Sequence, residues 1–365
     1  MKPTLRRWFL SLHLWIGLTL GLFIVSQAIS GSILDWRPQI EPLISSRLLV
    51  VEPGGVRQSL DVLVARARAA HPTSELDYVR QFKDPTASVF IRFTNKDFVY
   101  LNPYTAEVLG MRNRYGHFFG WLEGFHRFLM LDQKVGQPII GTIAGIFAVS
   151  IICGMVLWWP ASRKALRAGL TFNPVLTGRA RSLSWHKTLG AYAGVILLFS
   201  SLSGMPQGLE WVKSTIYIVT RTEKDLAPQF KKASADEFVG MERMAKKIQA
   251  LVPAAREMLI HFPMDGMVEA FAIPTDAPHP NARSMIWMNQ ANPAEVEFLP
   301  YEKSSLGTRL IFWALSLHMG LVGGVTVQIL LFLGALSVPV LAYTGIASYL
   351  KRRASAEVRS ATIST

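Results

Sequence analysis

The sequence contains little of what most soluble enzymes use for chemistry. Cys153 is the only cysteine among the 365 residues, so the chain forms no internal disulfide and no cluster of thiolate ligands. There is no Walker A motif, no G-x-G-x-x-G after a strand, no H-E-x-x-H motif and no Ser/His/Asp signature. These absences argue against ATP hydrolysis, against an intrinsic nicotinamide or flavin site, and against hydrolytic catalysis.

Long hydrophobic runs are present instead, and half of all residues are hydrophobic. Four runs reach the length of about 20 residues that a helix needs to cross a bilayer. The runs are continuous rather than alternating, so we predict an integral membrane protein of the α-helical class, with four transmembrane helices. The predicted spans are 8–34, 138–159, 185–205 and 325–350. The basic start of the first run also fits a cleaved signal peptide, but the run is too long for one, and we expect a retained anchor.

The net charge of +13 is concentrated in three segments that flank the predicted spans. These segments contain Lys2, Arg6, Arg7, Arg163, Lys164, Arg167, Arg179, Arg181, Lys187, Lys351, Arg352, Arg353 and Arg359, with Glu357 as their only acid. Alternation over four spans puts all three segments on one side, which the positive-inside rule makes cytoplasmic. We therefore expect both termini in the cytoplasm. The charge is explained by the bilayer, and no nucleic acid partner is expected.

The two predicted outer segments show the same order of elements. Each begins with a helical stretch (59–70 and 235–251), continues with short strands, and ends in an aromatic-rich helix (115–130 and 306–320) expected at the outer membrane surface. We predict two outer α+β units, one in each of two parallel repeats. The predicted division is 1–35 (first span), 36–114 (first periplasmic unit), 115–160 (interfacial helix and second span), 161–184 (cytoplasmic loop), 185–208 (third span), 209–305 (second periplasmic unit), 306–350 (interfacial helix and fourth span) and 351–365 (cytoplasmic tail).

The pattern H-x3-G-x3-G-x8-S-G occurs twice, at the starts of the first and third spans. Its members are His13, Gly17, Gly21, Ser30 and Gly31 in the first copy, and His186, Gly190, Gly194, Ser203 and Gly204 in the second. Residues four apart share one face of a helix, so each histidine has bare backbone beside it. This leaves room for a large flat group such as haem, and Gly17 and Gly190 are predicted cofactor contacts. Close helix packing without a cofactor would also use these glycines.

A second pair of histidines lies at matching positions of the two halves. His126 precedes Gly154 by 28 residues, and His318 precedes Gly345 by 27. Two parallel copies are related by a pseudo-two-fold axis along the membrane normal. Such an axis places His13 opposite His186 at the cytoplasmic face, and His126 opposite His318 at the outer face.

Two histidines that face each other across a helical bundle can bind haem iron from both sides. Zinc requires four ligands, and no Cys, Asp or Glu accompanies these positions at a suitable spacing. The alternative is that the histidines only bond headgroups or backbone at the interface. We predict two haems, with His13, His186, His126 and His318 as the axial iron ligands.

Three further residues are candidate haem contacts. Arg127 is predicted to meet a haem propionate, or to anchor its helix at the interface. His117 faces away from His126 on an ideal helix and becomes a ligand only if the helix breaks at a nearby glycine. Met319 points about 100° away from His318 on a helix, which disfavours it as a ligand.

The motifs resemble the PepSY-associated transmembrane family over essentially the whole chain. The matching segments are the H-x3-G starts of the first and third spans, F-V-Y-L-N-P-Y-T-A-E-V-L-G at 98–110, F-H-R at 125–127, G-M-V-L-W-W-P at 154–160 and L-H-M-G at 317–320. Some members look like ferric-siderophore reductases of the inner membrane. The resemblance thus implies a protein of the bacterial inner membrane with two periplasmic PepSY-like α+β units, two b-type haems and siderophore iron as substrate. The second outer unit departs from the family form, since 289–293 carries insertions relative to Asn102-Pro103.

These expectations combine into a haem-dependent oxidoreductase that reduces Fe(III) in a ferric siderophore at the periplasmic face. A hydroxamate-type siderophore is expected, because hard oxygen ligands hold Fe(III) far better than Fe(II) and one added electron loosens the metal. The electron donor is a quinol or a cytoplasmic reductase, and the aromatic segment 115–130 is the expected wall beside the chelate. Two alternatives remain: a permease that carries the chelate without redox chemistry, and a regulatory or scaffold protein whose outer units bind a partner. Both alternatives predict no haem.

The positive-inside count predicts the topology directly. Fusions of a periplasmically active reporter should be active after Ala70 and after Asp276, and inactive after Arg167, because only the first two positions follow an odd number of spans. Enzymatic activity of the three fusions measures the outcome. A periplasmic signal from the Arg167 fusion would overturn the whole arrangement.

Overall fold

The fold is known from a computed structural model, which describes residues 2–230 and 238–363. The helices are α1 Pro3–Thr19, α2 Gly21–Leu34, α3 Arg37–Ile44, α4 Ser46–Leu49, α5 Leu60–Ala70, α6 Phe118–Phe128, α7 Gln133–Trp158, α8 Arg163–Leu170, α9 Gly178–Gly208, α10 Glu210–Thr220, α11 Met241–Leu251, α12 Leu306–His318 and α13 Gly324–Ile363. The strands are β1 Leu76–Phe82, β2 Val89–Phe93, β3 Asp97–Leu101, β4 Val108–Asn113, β5 Ala255–His261, β6 Met267–Pro274, β7 Ser284–Asn289 and β8 Val296–Leu299.

The chain divides into two compact units. The helical unit comprises Met1–Trp36, Glu123–Val212 and Leu317–Thr365, and the sheet unit comprises Arg37–Leu122 and Lys213–Ser316. Within the described residues of the helical unit, α7, α9 and α13 are long and apolar enough to cross a membrane, and α1 with α2 makes a fourth span if the bent pair counts as one. The apolar centre of this bundle includes Ile24, Ile151, Leu197 and Val338.

The first predicted span is bent rather than straight. Helices α1 and α2 meet at Leu20 with an angle of 68° between them. An added Cβ at the next residue, Gly21, would have no heavy atom within 4 Å, so no packed neighbour straightens the chain there. Sharp bends concentrate at positions such as glycine, where the helix is easily interrupted. The prediction of one continuous helix over 8–34 is therefore wrong at its centre.

The two outer segments form one antiparallel sheet of eight strands, not two separate units. The strand order is β4-β3-β2-β1-β5-β6-β7-β8, so each half supplies a four-stranded meander. The halves join where β1 pairs with β5, with Val79 opposite Ile260. Helices α5 and α11 contribute to the same buried core, through Leu63 and Met244 respectively. Pairing β1 with β5 removes the exposed edge that each meander would otherwise present.

Several boundaries differ from the predicted ones. The short strand β8 was not predicted at all. Helix α11 begins at Met241, and the first residues of the predicted stretch 235–251 lie outside the described residues. The predicted insertion at 289–293 is wrong: the loop between the third and fourth strands is six residues long in both halves, 102–107 and 290–295. The longer loop is 275–283, which joins β6 to β7, whereas 94–96 joins β2 to β3.

Candidate functional site

The structure brings His13 together with His186 in the helical unit. His13 lies on α1 and His186 on α9, and their ring centroids are 5.9 Å apart with an interplanar angle of 76°. Along the sequence these residues are 173 positions apart, so only the packing of the two helices joins them. These are the two histidines that were predicted to pair at the cytoplasmic ends of the first and third spans.

A second pair forms from His126 near the end of α6 and His318 at the end of α12. Their ring centroids are 6.2 Å apart, and the rings are inclined by 30°. Burial lowers the pKa of His126 to about 4, with the neighbouring His318 adding to the effect, and burial also lowers the pKa of His318. Both imidazoles are therefore neutral at physiological pH, which is the form that binds a metal ion.

Each of the four imidazoles has its Nδ1 atom fixed by another helix. Nδ1 of His13 lies 2.8 Å from the carbonyl oxygen of Ser150, Nδ1 of His186 lies 3.0 Å from that of Leu341, and Nδ1 of His318 lies 3.0 Å from that of Ser200. A carbonyl oxygen only accepts hydrogen bonds, so Nδ1 must carry the hydrogen and Nε2 keeps its lone pair. Among the described residues, no side chain or backbone group hydrogen-bonds any of these Nε2 atoms.

His126 is held in the same way, and each of the four Nδ1 atoms also lies near a hydroxyl oxygen: that of Ser150 for His13, Thr344 for His186, Ser203 for His318 and Ser30 for His126. The Nδ1 atom of His126 lies 2.9 Å from Ser30 Oγ, and it also bonds the backbone of Gln27. Ser30 Oγ itself donates to the carbonyl oxygen of Gln27 at 3.0 Å. A histidine whose Nδ1–H is bonded to a carbonyl or similar acceptor is the usual arrangement for a metal ligand, because the bond fixes both tautomer and ring orientation.

A glycine of the neighbouring helix lies against each ring. An added Cβ would come within 3.1 Å of His13 at Gly154 and within 3.3 Å of His186 at Gly345. An added Cβ would also come within 3.0 Å of His126 at Gly31 and within 2.8 Å of His318 at Gly204. Only glycine allows the rings to approach the backbone this closely, so these four positions seat the histidines.

The geometry of both pairs fits a haem iron held between two imidazoles. Nitrogen ligands bind a metal ion at about 2 Å, which puts the centroids of two opposed imidazoles roughly 6 Å apart. No group of three or more His, Cys, Asp or Glu side chains suited to a metal ion is found within residues 2–230 and 238–363. Two imidazoles alone leave the other positions of an iron ion to the four nitrogens of a porphyrin. An added Cβ at Gly17 meets nothing within 4 Å, and one at Gly190 meets only Leu341 at 3.7 Å; the cofactor contacts at these glycines stay predictions.

The other considered residues lie elsewhere. Arg127 donates to Glu123 one turn earlier on α6, at 2.8 Å, and the propionate contact stays a prediction. His117 belongs to the sheet unit, where its Nδ1 accepts from the backbone N–H of Gly120 and lies 3.7 Å from Glu41. Met319 is exposed.

Sequence reasoning missed the acceptors that fix the rings. Backbone carbonyls such as those of Ser150 and Leu341 leave no signature, since any residue supplies one. The glycines that contact the rings were only partly predictable from the sequence. Gly31 and Gly204, at the Ser-Gly ends of the repeated motif, lie against the outer histidine pair. Gly154 and Gly345 occupy matching positions in the sequence of the two halves, but the spacing does not reveal that each contacts an imidazole ring.

These features define a multi-pass helical membrane protein with two histidine pairs. The chain belongs to the PepSY-associated TM family, because the model of the PepSY-associated TM region matches residues 10–352. A comparison with curated proteins found no match.

The glycine seats yield a stability prediction. Gly204→Ala should lower the melting temperature of the purified protein, because the new methyl group overlaps the His318 ring and overpacking costs about 1–3 kcal/mol. Gly145→Ala is the matched control, since its nearest atom is the flexible end of Met205 at 3.4 Å. There the better helix propensity of alanine should leave the melting temperature unchanged or raise it. Equal melting temperatures for the two variants would contradict the role of Gly204.

Proposed function

We propose that this protein is a di-haem reductase of the bacterial inner membrane. It passes electrons across the bilayer to Fe(III) in a ferric siderophore at the periplasmic face and releases Fe(II). The observation that carries the proposal is the pair of histidine pairs, each with ring centroids about 6 Å apart and with every Nδ1 bonded to another helix. Membership of the PepSY-associated TM family supports the membrane part of the proposal.

The role of the protein residues follows from how the rings are held. A b-type haem bound between two imidazoles supplies a one-electron couple whose potential depends on its ligands and surroundings. His13 with His186, and His126 with His318, would hold the two haems through their Nε2 atoms. The bonds from Nδ1 to carbonyl oxygens make each imidazole a stronger donor through Nε2, and the glycine seats keep the rings in place.

The histidine contacts behind the proposed function occur in both halves of the chain. The contact of a histidine with a glycine and an acceptor on another helix occurs once in each half at the inner level (His13 and His186) and once in each half at the outer level (His126 and His318). This agreement supports a pseudo-two-fold relation between the halves. The distribution of basic residues supports cytoplasmic termini, so the inner pair faces the electron donor and the outer pair faces the chelate.

The proposed reaction requires no acid–base pair. One electron from a quinol or a cytoplasmic reductase reduces chelated Fe(III) to Fe(II). Hydroxamate oxygens are hard ligands that favour the higher charge of Fe(III), so reduction weakens the complex and the metal is released. The protein must hold the chelate where it can accept the electron, and it must keep the redox centres apart from the aqueous phase.

Haem content of histidine variants tests the proposal. Purified wild-type protein should show a Soret band, sharp reduced α and β bands, and two haems per chain. His13→Ala and His186→Ala should each lose the same haem, because binding from both sides needs both imidazoles. His126→Ala and His318→Ala should each lose the other one. Pyridine haemochrome assays and redox titrations distinguish the two haems.

His117→Ala is the matched control, because His117 lies in the sheet unit near Glu41. It should keep both haems. A colourless wild-type protein would remove the proposal, and the permease or scaffold alternatives would then stand. If His13→Ala and His186→Ala lost different haems, the pairing would be wrong.

The outer pair should be the point where electrons leave. Ferric hydroxamate added to fully reduced wild-type protein should reoxidise both haems in stopped-flow absorbance. His126→Ala or His318→Ala should leave the inner haem reducible by dithionite, and that haem should then stay reduced far longer after the chelate is added. Chelate reduction at the wild-type rate in either variant would mean that the outer pair is not the exit.

A further inference from the structure

The sheet unit contains a cavity of about 390 Å³ beside α12. Its lining includes Pro278, Tyr301, Leu306, Arg309, Leu310 and Trp313. Sites for small molecules usually have volumes of about 300–1,000 Å³ and combine apolar or aromatic walls with a few polar groups. Two aromatic residues, two leucines and one arginine match this composition.

The walls of the cavity are held by a buried hydrogen-bond network. His279 is 2% exposed, and it bonds Ser316 Oγ through Nδ1 at 2.8 Å and the Tyr301 hydroxyl through Nε2 at 2.9 Å. Asn281 donates to the same Ser316 oxygen at 2.9 Å. The His279 ring also contacts Trp313, with 4.5 Å between centroids. Fully bonded buried networks fix side chains in one arrangement, so Tyr301 and Trp313 are positioned in advance of any ligand.

The network depends on a loop that only one half of the chain possesses. Residues 275–283, which join β6 to β7, carry Pro278, His279 and Asn281. The equivalent loop of the first half, 94–96, is too short to reach over a helix. The two loops between the third and fourth strands have equal lengths, so the difference is local. The second half has therefore been elaborated at this place, beside a helix that ends at His318.

Arg309 gives the cavity its polar specificity. Arg309 and Trp313 lie on the same face of α12, four residues apart, with Ser316 three residues further on. The Nε atom of Arg309 is buried and has no hydrogen-bond partner among the described residues. That N–H is covered by protein atoms, so the donors for a ligand oxygen are the other guanidinium N–H groups of Arg309, which lines the cavity. Glu302, which also borders the cavity, offsets the charge of the guanidinium.

We propose that this cavity binds the ferric chelate, with Trp313 and Tyr301 packing against its carbon framework and Arg309 donating to its oxygen atoms. His279 is a positioning residue that holds the two aromatic walls. The proposal rests on the proposed function and locates its substrate. One arginine opposed by one glutamate suits an uncharged chelate such as a ferric trihydroxamate, and gives no counterpart to a strongly anionic tris-catecholate. The proposed site lies beside α12, and the segment 115–130 stays the sequence-based prediction of the wall.

Binding of a gallium(III) trihydroxamate complex tests the site, because gallium copies the charge and geometry of Fe(III) but is not reduced. Isothermal titration calorimetry on the full-length haem-loaded protein should detect binding of this probe. Arg309→Gln and Trp313→Ala should each weaken it by about tenfold or more, as is usual for buried aromatic and arginine contacts. Lys303→Gln is the matched control, since Lys303 is an exposed basic residue beside Tyr301 and outside the cavity lining. It should bind as the wild type does. A gallium tris-catecholate should bind more weakly than the trihydroxamate.

The outcomes separate this inference from the proposed function. Wild-type affinity in both Arg309→Gln and Trp313→Ala, with melting temperature and haem spectrum unchanged, would show that the cavity is not the binding site, whether or not iron is reduced. The inference would equally fail if these substitutions altered only association with liposomes, because Arg309 and Trp313 would then be contacts with lipid. Loss of gallium binding in the two variants, in a protein that does not reduce the ferric chelate, would keep the site and reject the reductase.

Discussion

The arrangement of the helical unit depends on one repeated contact. A histidine of one helix bonds through Nδ1 to an acceptor on another helix and lies against a glycine there, as His13 does with Ser150 and Gly154. The contact needs a polar ring inside an apolar bundle, a backbone without a Cβ at the point of approach, and helices at a fixed separation. Each requirement constrains the others, so the histidine pairs and the helix packing form together.

This contact explains why the Nε2 atoms are available. In an apolar bundle, a ring nitrogen without a hydrogen-bond partner costs free energy. The Nδ1 atoms obtain theirs from the protein, and the Nε2 atoms have none among the described residues. Under the proposed function, a haem iron would be the partner of each Nε2 atom.

The sheet unit shows how two similar halves can acquire different tasks. Their meanders pair through β1 and β5 into one sheet with one core, to which both halves contribute. Hairpin loops can lengthen without disturbing such a sheet, because they lie at its ends. The loop 275–283 has done so, and it brings His279 over α12 while the first half keeps a short turn.

The sequence by itself predicted the apolar spans, apart from the bend in the first, and the histidine pairing. Long apolar runs mark helices in a bilayer wherever they occur, and closely similar spacing in the two halves is enough to match His13 with His186 and His126 with His318. Most strands were also predictable, since their content of Val, Ile, Phe and Tyr is a local signal. Tertiary structure alone decided the bend at Leu20, the joining of the two meanders into one sheet, the carbonyl acceptors of the imidazoles and the network around His279. Each of these depends on groups far apart in the chain, or on backbone atoms that every residue shares, so no pattern of neighbouring residues encodes it.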